Sequence, residues 1–188
     1  MNAVILHGRP GKAEYYNDKY PSASNSHWLP WLQQQLIIRD ILAVAPEIPF
    51  AYEPDWDRWV KEVERFEIKA DTILVGHSTG AGFWVRYLSE HKELSVDKVV
   101  LVAPWIDVEQ EDPNNFFKFE IDPNLVKRTK GLVIFHSTDD VPEIQSAVAR
   151  LKTLPGIDYR EFTGRGHFTH KYMPDDTFPE LLEVLVGA

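Results

Sequence analysis

The 188-residue chain contains no cysteine, which excludes disulfides and thiolate zinc sites outright. It has no run of basic residues. Lys and Arg number 20 against 29 Asp and Glu, a net charge of −9, so nucleic acid is not an expected partner. No apolar stretch approaches the roughly 20 residues needed to span a bilayer. The N-terminus lacks the basic start of a secretory signal and enters a short β-like run at once. A cytoplasmic protein with no membrane association is the expectation. Internal repeats, linkers and low-complexity tracts are also missing. A hydrophobic content of 44% over this length suits one globular domain, 1–188, burying about 70% of its unfolded surface.

What is present centres on Asp71 to Gly82, DTILVGHSTGAG. Thr72-Ile73-Leu74-Val75 suits a buried strand, Gly76-His77-Ser78-Thr79-Gly80 a tight turn, and the residues after it a helix. G-x-S-x-G in that order of elements is a nucleophile elbow: glycines two residues either side of the serine let the chain turn sharply and leave Oγ exposed. The plainer alternative is an ordinary strand-to-helix turn with Ser78 as helix N-cap.

Taken from the start, Ala3-Val4-Ile5-Leu6 reads as a central parallel strand cut off by His7-Gly8-Arg9-Pro10-Gly11. In acyl-transfer enzymes of the α/β type, a backbone N–H just after such a strand supplies half of the oxyanion hole. Gly8 or Arg9 is that candidate, and Thr79 N–H the other half. Lys12 to Ser26 shows no periodicity and reads as a loop, a candidate pocket wall. A helix pattern follows in Trp28, Leu29, Trp31, Leu32 and Leu36, with Ser26 as N-cap, and then a strand over 40–44. Trp56, Trp59, Val60 and Val63 mark a helix within 54–66 whose aromatics suit the core.

Beyond the elbow helix, strands are expected over 98–102, 132–135 and 157–162, and helices over 143–151 and 176–186. Between Ile106 and Lys130 there is room for a short helix near Asn124 but not for a large lid. There Phe116, Phe117 and Phe119, with Trp105 before them, either line an apolar acyl pocket or anchor the loop. Strands alternating with helices imply a mostly parallel six-stranded sheet with helices on both faces, a three-layer α/β fold.

Hydrolysis through serine needs a base to take the hydroxyl proton and an acid to orient that base. Ser78, Asp140 and His167 each follow a strand, at the end of the sheet where ligands bind, and in the order Ser, Asp, His of the α/β-hydrolases. Asp139 competes with Asp140. His7, His77, His136 and His170 near strand ends suit hydrogen-bonded structural roles, and no H-E-x-x-H spacing supports a metal site.

The chain resembles the small lidless serine hydrolases that include retinoblastoma-binding protein nine and the bacterial YdeN-type proteins, within the α/β-hydrolase superfamily. The resemblance runs through the His7-Gly8 turn, Asn25-Ser26-His27-Trp28-Leu29-Pro30-Trp31-Leu32, Gly76-His77-Ser78-Thr79-Gly80, Ser137-Thr138-Asp139-Asp140 and Gly166-His167-Phe168. The Gly8 to Ser26 loop departs from the family in being longer. The resemblance implies Ser78 as nucleophile, Asp140 as acid and His167 as base, with no cofactor or metal. The expected function is hydrolysis of small or medium acyl esters. Amidase or peptidase activity, and a protein-binding module on the same scaffold, are the rivals, the latter because family members are also associated with protein partners.

Overall fold

The computed structural model describes residues 1–110 and 112–187. Six strands form one sheet: β1 Asn2–Leu6, β2 Leu42–Val44, β3 Thr72–His77, β4 Val96–Val102, β5 Thr129–Ser137 and β6 Asp158–Phe162. Their order is β2-β1-β3-β4-β5-β6 and every neighbouring pair is parallel. The helices are α1 Lys12–Tyr15, α2 Leu29–Ile37, α3 Trp56–Val63, α4 Thr79–Glu90, α5 Pro142–Leu151 and α6 Pro179–Val186. All six residues of β3 are buried, as a central parallel strand covered on both faces is. The sheet's margins are built otherwise. β2 is short and β6 carries exposed Asp158, Arg160 and Glu161, charges that blunt an edge against further pairing.

The chain runs from β1 to β2 in one direction and from β2 onward in the other. Right-handed crossovers then put α2 on one face of the sheet and α3, α4 and α5 on the other. Ring contacts agree: Trp28, just before α2, meets Phe178 at the start of α6 at 5.6 Å, while Trp59 of α3 meets Phe83 of α4 at 5.6 Å. Adjacent strands β1 and β3 thus send their connections to opposite faces. The crevice opens between their C-terminal ends.

Close packing of the elbow depends on small residues. A Cβ on Gly76 would lie 2.5 Å from the Gly80 and Ala81 backbone, and one on Gly80 would lie 2.5 Å from the His7 carbonyl oxygen. The first turn of α4 therefore rests directly on the end of β1.

Three local expectations are adjusted by tertiary contacts. Ser26 does not cap α2: the helix begins at Leu29 without a side-chain cap, and Ser26 Oγ donates to the Ser22 carbonyl instead, because His27 at φ 59° turns the chain between them. The expected loop 12–26 contains α1 and a 3-10 turn at Ala23–Asn25. Both are held from a distance, by Phe50 N–H donating to Tyr15 Oη (3.1 Å), a Tyr16–Tyr52 hydroxyl pair (3.0 Å) and Ser24 N–H donating to Glu47 (2.8 Å). The short helix expected near Asn124 is present as a 3-10 turn at Leu125–Arg128 rather than an α-helix. No helix among the described residues is long and apolar enough to cross a membrane.

Gly80→Ala forces backbone against backbone and is expected to cost about 1–3 kcal/mol, lowering the thermal midpoint by about 2–10 °C. Gly131→Ala, whose new methyl meets nothing within 4 Å, serves as the near-neutral control in the same circular-dichroism melt.

Candidate active site

Ser78 stands between β3 and α4 with φ 54° and ψ −118°, a backbone conformation that costs a non-glycine residue energy and persists only where its surroundings impose it. They do so here: its N–H donates to the Val102 carbonyl (2.9 Å), and its own carbonyl accepts from Ala81, Gly82 and Trp105 N–H (3.1 Å each). Its side chain makes no cap bond to α4, so the hydroxyl is left for the crevice.

Loop 163–170 after β6 brings His167 to the same crevice. His167 Nδ1 lies 2.9 and 3.1 Å from the two Asp140 carboxylate oxygens. The Asp140 side chain is 1% exposed and that of His167 27%, so the carboxylate is sealed behind an imidazole that faces the opening. The neighbouring aspartate does different work. Asp139 Oδ1 accepts from the Ser137 hydroxyl (2.5 Å) and from Gly164 and Gly166 N–H (2.9 and 3.4 Å). The Ser137 hydroxyl, followed by those N–H groups, holds the Asp139 carboxyl below the usual carboxylate range. Asp139 thus ties the loop down while Asp140 meets the imidazole.

The loop itself is bent. Gly164, Gly166 and Phe168 all have positive φ, and Phe168, at 53°, has a Cβ that disfavours it. Two side chains from elsewhere pin it: His77 Nε2 donates to the His167 carbonyl (2.8 Å) and Trp28 Nε1 to the Phe168 carbonyl (3.1 Å). His77 is buried, and burial first, then the neighbouring His167, pushes its pKa well below 6.5. It is a neutral donor. Sequence reasoning gave His77 only a generic structural role. The available signal was its place in an otherwise apolar strand, where a polar ring must find a partner.

Gly8 lies against the serine: a Cβ there would sit 3.0 Å from Ser78 Cβ. Behind it His7 is 1% exposed. Ile48 N–H donates to His7 Nε2 (3.0 Å), so the proton sits on Nδ1, which donates to the Gly8 carbonyl (2.7 Å). Because a trans peptide points its C=O and N–H opposite ways, this bond aims the Arg9 N–H away from His7. Thr79, as first residue of α4, has an N–H with no intrahelical acceptor.

Ser78, His167, His77, Gly8 and Arg9 all line one open cleft of about 1090 Å³, walled on its far side by residues of the 12–26 segment. The candidate acyl-pocket residues Trp105, Phe116 and Phe117 are not in its lining. Phe116 is fully buried against Trp56, Trp59 and Phe83, and Phe117 packs on Phe116 and Trp105. The acyl-pocket role gives way to anchoring of the loop, because Gly82 lets Phe117 close directly onto α4, and Arg86 holds the Phe116 carbonyl (2.5 Å) while stacking on Trp56. Trp105 reaches the cleft only through Arg9, whose guanidinium lies 4.8 Å over its ring. No group of three or more potential metal ligands occurs among the described residues.

A family model described as serine hydrolase matches residues 18–179. The chain is 24% identical over 139 residues to the putative hydrolase YdeN of Bacillus subtilis, covering 69% of this chain and 71% of that protein. The crystal structure of the B. subtilis ydeN gene product superposes with a TM-score of 0.81 at 22% identity, over 98% of this chain and 96% of that one. Est1E of Butyrivibrio proteoclasticus, solved with ferulic acid bound, gives a TM-score of 0.63 at 14% identity, over 99% and 86% of the two chains. The fold is thus that of a lidless α/β-hydrolase.

His7, His27, His77 and His136 are all held below 6.5, each chiefly by burial. Such rings bind protons more weakly folded than unfolded, so the unfolded chain takes up protons first as pH falls. Stability is expected to be level above about pH 7 and to decline below 6.5, for His27 down to about 4. Thermal midpoints measured from about pH 7.5 to 5 check this, and an unchanged midpoint contradicts it.

Proposed function

The chain belongs to the serine hydrolase family, and from that premise we propose that it cleaves carboxylic esters of small or medium acyl groups through Ser78, His167 and Asp140. The observation that carries the reading is the joint placement of a strained, uncapped serine and a carboxylate-bound imidazole on one cleft. Ser78 Oγ attacks the ester carbonyl while His167 Nε2 takes its proton. Asp140 accepts from Nδ1–H, which fixes the tautomer and stabilises the imidazolium. The tetrahedral oxyanion is held by Thr79 N–H and by the N–H of Arg9, with that of Gly8 as the alternative. The His7 bond to the Gly8 carbonyl favours Arg9. Each such donor is worth about 3–4 kcal/mol of barrier.

Collapse of the intermediate breaks the ester C–O bond, and His167 gives its proton to the departing alcohol. Water, activated by the same imidazole, then hydrolyses the acyl-enzyme. Esterases among the structural neighbours, the naproxen esterase and the carboxylesterase CesB of B. subtilis, support ester over amide chemistry. Trp105 acts at one remove, by seating Arg9 at the mouth.

Labelling with a fluorophosphonate probe, read by intact mass, tests the reading. A single adduct is expected on the wild type and none on Ser78→Ala, with p-nitrophenyl acetate turnover lost in parallel. An unlabelled, folded wild type contradicts it. Asp140→Asn is expected to lower kcat by about 10³–10⁴-fold. Asp139→Asn should keep kcat within about tenfold and lower the thermal midpoint instead, because its carboxylate holds the loop rather than the imidazole.

A further inference from the structure

We propose that His27 is a specificity residue of this site: its Nε2–H hydrogen-bonds a neutral acceptor oxygen on the alcohol portion of the ester. The inference rests on the ester-hydrolase reading above.

His27 occupies the turn between the 3-10 turn at Ala23–Asn25 and α2, with φ 59°. That positive φ is uncommon outside glycine, and the ring lies on the cleft in the same wall as His77 and His167. The ring's orientation and proton are both set by the loop after β6. His170 N–H donates to His27 Nδ1 (3.2 Å), and His170 stacks on the ring at 5.2 Å and 23°. A nitrogen that accepts carries no proton, so in the neutral ring the proton is on Nε2. Burial, and then His170, hold the His27 pKa to about 4, which keeps the ring neutral at neutral pH. Among the described residues no group hydrogen-bonds Nε2. Asp176 attracts the ring without bonding it.

The side of the cleft follows from position. The His27 ring lies 5.7 Å from His77, which lies 5.1 Å from His167. The departing alcohol has to lie against His167, because that imidazole protonates it. His27, whose charge the neighbouring His167 also acts on, is assigned on that ground to the alcohol's side of the cleft. Leu29 is the one large aliphatic side chain of a lining that also carries tyrosines, prolines, Asn17, Ser22 and Thr169. An alkyl alcohol leaves the Nε2–H unpaired, which is what discriminates against it.

The test compares 2-methoxyethyl acetate with butyl acetate, which differ by an oxygen in place of one methylene, in the wild type, His27→Phe and His27→Gln. In the wild type kcat/KM should favour the ether. In His27→Phe the ether-to-butyl ratio should fall about three- to tenfold, and His27→Gln, which keeps an N–H at similar reach, should recover part of it. His27→Asn, which tolerates the left-handed backbone, gives the same loss if the phenylalanine variant fails to fold. A purely structural His27 would slow both esters equally, and a ratio unchanged within twofold overturns the proposal. Fluorophosphonate labelling of Ser78 separates the two levels. Ser78-dependent turnover with an unchanged ratio removes only the role of His27, whereas neither labelling nor turnover removes the hydrolase reading and this inference with it.

Discussion

The approach of the α4 N-terminus to the end of β1, with no side chain between them, is the contact on which the site's geometry depends. Gly80 rests on the carbonyls of Leu6 and His7, Gly76 admits the returning α4 backbone, and Gly8 leaves space beside Ser78. A methyl at Gly76 or Gly80 would push the strand and helix apart and carry the serine with them. The strain at Ser78 is the counterpart of that closeness. A left-handed serine is held because its N–H and C=O are locked to β4 and to the following loop, and the result is a hydroxyl that projects from a rigid frame instead of folding back to cap its own helix.

Across the crevice the loop of His167 has no regular structure of its own, and its rigidity is borrowed. Asp139 ties Gly164 and Gly166, His77 holds the His167 carbonyl and Trp28 the Phe168 carbonyl. These anchors come from β3, from the turn before α2 and from the end of β5, so all three must be in place before the imidazole is. This is how a fold without a lid positions His167 on a loop. The loop is cross-bonded to the sheet that carries Ser78.

A second theme is the use of neutral histidine as a buried donor or acceptor. His7 directs the Gly8–Arg9 peptide, His77 fixes the His167 backbone, and His27 accepts from the loop while offering its other nitrogen to the cleft. Each ring presents one donor and one acceptor, a pair that a buried amide or hydroxyl fills less rigidly. The cost is a fold that weakens once these rings are forced to accept protons.

Most of the architecture was legible in the residues. Short runs bounded by turn residues located all six strands, Gly-x-Ser-x-Gly located the elbow, and the order of Ser78, Asp140 and His167 placed them at one end of a parallel sheet, because each follows a strand and parallel strands end together. What the residues left open were matters of which neighbour a side chain meets. Asp139 and Asp140 are adjacent and chemically identical, and only the path of the loop after β6 sends one to backbone N–H groups and the other to an imidazole. Phe116 and Phe117 are as apolar as pocket walls would be, and only the closeness allowed by Gly82 turns them into core. His7, His27 and His77 carry no local mark of their partners, which lie up to 143 residues away along the chain. Sequence by itself determined the fold class and the chemistry available, since periodicity and turn residues act locally. Tertiary structure alone decided which carboxylate meets His167, which peptide N–H turns away from His7 and which imidazoles face the cleft, since those choices are made by long-range packing.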